Sequence, residues 1–395
     1  MIYMAVIPGN CKPWAVNDVT YCFYAIDFSV GFCSRVILGA LYNLFVKTPS
    51  MLTVSIFLTV VFIITAGVIS FLAEKVVSQL DAKYRKTAVI IFIFFFVGPS
   101  TFAMYLKIFG LIDFFWVFAA ALSLLCLQKK QLYFLVVPLT VFMVFVYYGA
   151  VLCYVPFLAI ILLYKIACSQ DKKEKGYLTG VFLATVILTI GLSVYFVAFE
   201  RSNLLMTMEE FNQFMIDRGV DPGNLYYYDF SFYRYTESFM ENNETYLPDA
   251  DDSVGFSAFV KLIIQQIFVG ITLKNYSYVT FIVFLLILPI VIYIYSIFVR
   301  IFKKERANPL KRFSLMCSMA FFPFVIVAGF CFSTDVVRWI ANAFLPFFAI
   351  FIYILYKEKE WAWEIVYKEV NSVHNSFLIP YFLVYSLTTF LPDVQ

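Results

Sequence analysis

The sequence predicts an all-α integral membrane protein, and three observations carry that prediction. Of 395 residues, 63% are hydrophobic and 14% charged, with a mean hydropathy of +0.86; soluble domains run at roughly 45 to 50% apolar and about 25% charged. Apolar runs of about 20 residues, the length that crosses a bilayer, recur along the chain. Short basic clusters punctuate those runs at intervals that fall on one side of a membrane. Length alone would suggest two or three soluble domains, but one membrane domain follows for a chain whose helices face lipid.

Nine or ten spans are predicted, at 51 to 72, 87 to 106, 111 to 128, 132 to 148, 150 to 168, 177 to 199, 277 to 300, 314 to 334, 338 to 356 and, with a weaker apolar signal, 377 to 391. Lys75, Lys83, Arg85 and Lys86 follow the first span, and Lys129 and Lys130 the third. Lys165 to Lys175 follow the fifth, Arg300 to Arg312 the seventh, and Lys357 and Lys359 the ninth. With alternating spans all of these loops share one side, which the positive-inside rule makes cytoplasmic. The chain then divides into an extracytoplasmic N-terminal segment with an interfacial helix (1 to 48), a first group of spans (49 to 199), one large extracytoplasmic loop (200 to 276) and a second group (277 to 395). The polar leader has no basic n-region followed by an apolar h-region to carry it across. The expectation is therefore that Met1 lies inside a longer reading frame whose upstream part supplies one more helix.

A formal charge of +3 is too small to argue for nucleic acid. Cys11, Cys22, Cys33, Cys126, Cys153, Cys168, Cys317 and Cys331 form no CxxC pair and have no nearby histidine, so buried apolar thiols are expected rather than zinc or redox chemistry.

The outer loop opens with FERSNLLMTMEEFNQFMIDRGVDPGNLYYYDFSFYRY. Residues 204 to 217 read as a short helix lying on the membrane, VDPGN as a turn, and the tyrosine-rich run as alternating aromatic and polar positions. The segment 256 to 273 reads as an interfacial or re-entrant helix. Tyr226, Tyr227, Tyr228 and Tyr233 suit sugar recognition, rings covering apolar C–H faces while neighbouring acids and amides bond the hydroxyls. An aromatic belt at the bilayer interface accounts for the same composition. Asp249, Asp251 and Asp252 offer oxygen ligands to a divalent cation, or form a solvated acidic turn.

Charges at the edges of apolar runs say more, because an ion at a helix centre costs about 2.5 to 3.5 kcal/mol and so faces a bundle interior or a wet cavity. The spans are almost free of charge, and the exceptions gather on the outer side: Asp27 and Arg35, Asp113, Glu200 and Arg201, then Asp335 and Arg338, with Lys107 nearby. On a helix Asp335 and Arg338 stand three residues apart, close enough to pair, with Trp339 at the headgroup level. They read either as a self-neutralised anchor or as an arginine fork for a phosphate that Asp335 orients. The single histidine, His374, falls on the cytoplasmic side, so no outward histidine base is available. Common NTPase, hydrolase and metalloprotease signatures are absent.

Multiple spans, an extracytoplasmic acid shortly before an interfacial helix (YAIDFSVGFCSRVILGALYNLF), a large outer loop and abundant Phe and Tyr together resemble two related groups. These are the lipid-sugar-dependent GT-C glycosyltransferases and the O-antigen or capsule polymerases of bacterial surface polysaccharide assembly. The acidic pair of many GT-C first loops is absent as such, Asp18 and Asp27 being separated. The resemblance implies a polyprenyl-(pyro)phosphate-linked sugar donor, a glycan or lipid-linked acceptor, and other polysaccharide-assembly proteins as partners, in a plasma (inner) membrane. A carboxylate, Asp27 first and Asp113 second, would take the proton of the attacking hydroxyl, while Arg35, Arg338 and Arg201 stabilise charge on the leaving phosphate. The alternative is a polysaccharide or lipid-linked oligosaccharide flippase, for which internal repeats and mid-span charges are expected; neither is evident. Asn243 in NET and Asn275 in NYS would be sequons in a secretory pathway.

Overall fold

The computed structural model describes residues 16, 18–46, 49–107, 109–199, 203–220, 278–332, 336–373 and 375–388. Among them the chain is helical throughout, with a single antiparallel bridge between Gly31 and Leu204. Two short helices, α1 (Asp18–Ala25) and α2 (Val36–Asn43), precede α3 (Met51–Ser78) and α4 (Ala82–Val97). Then come α5 (Met104–Lys107), α6 (Phe114–Cys126), α7 (Val136–Val146), α8 (Tyr154–Cys168), α9 (Lys172–Phe199) and α10 (Met208–Asp217). The C-terminal group is α11 (Tyr278–Lys304), α12 (Pro309–Phe332), α13 (Val336–Glu358), α14 (Glu360–Ser372) and α15 (Asn375–Leu387).

Five helices, α3, α9, α11, α12 and α13, are long and apolar enough to cross a membrane. The expected spans 111 to 128, 132 to 148, 150 to 168 and 377 to 391 appear as apolar helices of 10–17 residues. The expected span 87 to 106 is broken, because α4 stops at Gly98. Proline disfavours helical backbone in the residue before it, and Gly98, preceding Pro99, has ψ 166°. Tyr385 of α15 closes on the break: a Cβ at Gly98 would fall 1.9 Å from its ring. The start of α3 is fixed by a capping box, with Ser50 Oγ accepting from the Thr53 N–H at 3.2 Å and Thr53 Oγ1 from the Ser50 N–H at 3.1 Å.

Burial separates an inner helix from outer ones. Of its most apolar stretch α13 buries 89%, against 22% for α3 and 28% for α9, so α13 is the axis and α3 and α9 present apolar faces outward. Gly329 brings α12 close to α13, where a Cβ would lie 2.8 Å from that of Trp339, the approach that small residues permit between spanning helices.

The basic loops converge at one end of the bundle. There Lys83 meets Glu364 at 2.7 Å, Lys130 meets Glu174 at 3.0 Å and Asp171 at 3.2 Å, and Lys311 meets both Glu358 and Glu305. Amphipathic α14 lies across this end, held by Lys83 and by an Arg300–Glu369 pair, with Lys304 3.8 Å above the Trp361 ring. The ends of α1 and α7 and the starts of α6 and α13 meet at the opposite end.

Candidate functional site

The site is built around the first residues of α6 and α13. Asp113 immediately precedes α6 without capping it through its side chain. Its carboxylate is 1% exposed and turns instead to α13, where Arg338 Nε lies 3.0 Å from Oδ2. Asn342, one turn further along α13, donates its Nδ2–H to the same oxygen at 2.8 Å, and its Oδ1 accepts from the Tyr105 hydroxyl of α5 at 2.9 Å. Four residues separate Arg338 from Asn342, so both project from one helix face. Cys153 and Tyr154, both buried, lie within electrostatic reach of Asp113.

The pairing is lopsided. Oδ2 receives both the guanidinium and the amide, whereas Oδ1 is buried with no hydrogen-bond partner among the described residues. Leaving a buried acceptor bare costs about 1 to 3 kcal/mol, so Oδ1, beside a partly exposed arginine, keeps an accepting position that no described residue fills.

A second acid lies in the N-terminal segment. Asp27 Oδ2 is 2.8 Å from Arg218, just after α10, and accepts from Asn43 at 2.9 Å, while Oδ1 accepts from the Ser29 N–H at 2.9 Å. Burial pulls the Asp27 carboxyl upward, but the Ser29 hydrogen bonds and the Arg218 guanidinium outweigh it and hold the group below its ordinary value. Arg218 is itself fixed, donating to Ala25 O at 2.8 Å and lying 4.2 Å over the Phe214 ring. The expected helix of 204 to 217 forms over Met208–Asp217, as α10, behind a Thr207/Glu210 capping box, while Leu204 makes a strand-like contact with Gly31 that ties it to the same segment. A Cβ at Gly31 would sit 2.2 Å from Asn203 O, and Gly31 has φ +141°, so glycine is required there.

Arg35 precedes α2 with φ 72°, an uncommon backbone for a residue with a side chain. Its guanidinium lies 4.5 Å over the Tyr147 ring, which stacks on Trp116 at 5.9 Å and 7°. Trp116 belongs to the first turn of α6, its N–H donating to Asp113 O at 3.0 Å. An aromatic stack thus connects Arg35 to the helix end that carries Asp113.

Of the residues singled out by sequence, the structure brings Asp113 and Arg338 together and links Arg35 to the first turn of α6 only through the Tyr147 and Trp116 rings; Asp27 belongs to a separate pair. Trp339 is buried against Gly329. Asp335, Glu200, Arg201, Tyr226, Tyr227, Tyr228, Tyr233, Asp249, Asp251, Asp252 and His374 lie outside the described residues. Among the described residues no three acidic, histidine or cysteine side chains converge as metal ligands. Asn342, Tyr105 and Arg218 were not foreseen. The first two are neutral residues in apolar runs, and Arg218 reads as a loop charge, although the Gly219 beside it, with φ +79°, marks a helix stop. Set against known protein families, curated proteins and solved structures, the chain matches none.

Proposed function

We propose that this chain is a membrane glycosyltransferase or polysaccharide polymerase that uses polyprenyl-(pyro)phosphate-linked sugars at the outer face of a plasma membrane. The observation that carries the reading is the buried Asp113 carboxylate with one oxygen bound to Arg338 and Asn342 and the other bare. It lies at the end of the bundle away from the basic loops, which on the positive-inside rule is the outer one. With α4 and the four shorter apolar helices counted as crossings alongside the five long ones, the chain has ten spans and holds residues 200 to 276 outside.

In this reading the acceptor hydroxyl donates to Asp113 Oδ1. As its oxygen forms the bond to the anomeric carbon, the proton passes to the carboxylate and the bond from that carbon to the phosphate oxygen breaks. Arg338, whose side chain is 25% exposed, stabilises the charge growing on the departing phosphate. Asp27, held by Arg218, secures α10 over the N-terminal segment and keeps the outer loop in place. The tyrosine-rich run holds the glycan.

The test is a gel of surface polysaccharide from cells lacking the gene, complemented with wild type, Asp113→Asn or Arg338→Ala. Collapse of a ladder of long chains to single lipid-linked units, restored by wild type alone, establishes a polymerase, and units short of one sugar establish a single-residue transferase. An unchanged ladder in the deletion strain overturns the proposal.

A further inference from the structure

The helices α3, α4, α6, α8 and α13 enclose an apolar cleft of about 130 Å³. Its walls include Leu72, Val76, Phe92, Phe95, Ala121 and Ile352, and its lining runs from Tyr154, near Asp113, to Lys75 and Gln128 at the basic end. An apolar cavity of about 150 Å³ stays dry and takes a benzene-sized ligand, so this half-open cleft accommodates a segment of a hydrocarbon chain. Along α6 it extends from Val117 to Gln128, about 16 Å at 1.5 Å per residue. That is about the depth of one leaflet, half of a hydrocarbon core of about 30 Å.

Apart from Tyr154 at the Asp113 end, the polar groups of the lining gather at the basic mouth. Lys75 donates to Gln128 Oε1 at 3.0 Å and, among the described residues, has no carboxylate within ion-pair distance, although Lys83, Lys130, Arg300 and Lys311 at the same end all do. Tyr353 also lines the cleft; it is 7% exposed, and its hydroxyl is buried with no hydrogen-bond partner among the described residues. A cation without a counter-ion and an unused hydroxyl donor at the mouth of an apolar slot make an amphiphile seat, charged at the head and greasy along the tail.

We propose that the cleft holds the upper segment of one acyl chain of an anionic phospholipid from the leaflet at the basic end, with its phosphate on Lys75 and Gln128 and the Tyr353 hydroxyl donating to a headgroup or ester oxygen. This lipid sits head-down at the end opposite Asp113 and Arg338, so the inference stands apart from the glycosyltransferase reading.

The experiment is native mass spectrometry of the purified full-length protein in detergent, titrated with dioleoyl phosphatidylglycerol, dioleoyl phosphatidylcholine, inorganic phosphate or a polyprenyl phosphate. One phosphatidylglycerol is retained about five-fold more tightly than phosphatidylcholine, the worth of one lysine facing an anionic lipid, and inorganic phosphate does not displace it. Lys75→Gln abolishes the preference, Tyr353→Phe weakens retention about three-fold, and Ala121→Phe, which fills the slot, removes both lipids. Lys75 is only half-buried, so its variant keeps the test decisive should Ala121→Phe fail to fold. Equal retention of the two phospholipids by wild type, an unchanged preference in Lys75→Gln, or displacement of phosphatidylglycerol by equimolar polyprenyl phosphate would each overturn the proposal. None of these readouts depends on sugar transfer.

Discussion

The buried helix α13 carries an ion at each end, and the two are treated differently. At its start Arg338 meets Asp113 through one carboxylate oxygen, and the other oxygen is left bare. At its finish Glu358 accepts from the Tyr164 hydroxyl and from Lys311 at 2.6 Å, and Lys311 reaches on to Glu305 at 2.8 Å. Glu305 also accepts from the Asn308 N–H at 3.1 Å, and the Lys311 hydrogen bond holds its carboxyl below the ordinary range. No buried side-chain polar atom of Glu305, Lys311 or Glu358 lacks a partner. A saturated cluster fastens α8, α11, α12 and α13 to one another, whereas an unsaturated one retains hydrogen-bonding capacity that the fold does not use. On the proposed function, the difference separates a structural end from a reactive one.

The largest effect is expected from Arg338→Ala. It leaves Asp113 buried without its cation, a loss of about 3 to 5 kcal/mol by the usual cost of breaking such a pair, seen as a lowered thermal midpoint of the purified protein together with lost polysaccharide. Lys311→Met is expected to cost a similar or slightly smaller amount, because it strands Glu358 and Glu305, yet the polysaccharide made per folded molecule stays at the wild-type level. Comparable loss of specific output in both variants would erase the distinction between the ends. Asn342→Ala removes one donor from Asp113 and the acceptor of Tyr105, and should cost about 1 to 3 kcal/mol, read from the same thermal midpoint. The smallest effect is a pH dependence at the basic end. Hydrogen bonds from Lys83 and Tyr84 hold Glu364 down at about 2, against an ordinary 4.5. A lowered carboxyl contributes its stability fully above the ordinary value and loses it as the pH falls towards the folded one. Proteolysis across the α14 boundary should therefore quicken between pH 4.5 and about 2, and a Glu364→Gln protein should show no such step.

The membrane class was legible because composition and run length alone impose it, and Asp113 and Arg338 stood out as charges at the rims of apolar runs. Their partnership was not legible. Helical spacing points only to the local neighbour Asp335, which lies outside the described residues, whereas the start of α13 also brings Arg338 to Asp113, an acid more than two hundred residues away. Asn342 and Tyr105 carry no charge and lie inside apolar runs, so only packing reveals that they complete the site. The break of α4 was readable in the Gly98–Pro99 step, where the apolar run continues but the backbone cannot. Thr207 and Glu210 likewise announced the start of α10, while the Asp27–Arg218 pair depends on that helix folding back on the N-terminal segment.

The most direct test of the distinction compares Asp113→Asn with Glu358→Gln in deletion cells, measuring folded protein by size-exclusion fluorescence and the polysaccharide ladder from the same culture. The account predicts that Asp113→Asn accumulates as folded protein while its output per molecule falls by about 100-fold or more, and that Glu358→Gln lowers folded protein and leaves output per molecule intact. Wild-type output per molecule from Asp113→Asn, or its loss in Glu358→Gln at undiminished folded protein, would contradict it.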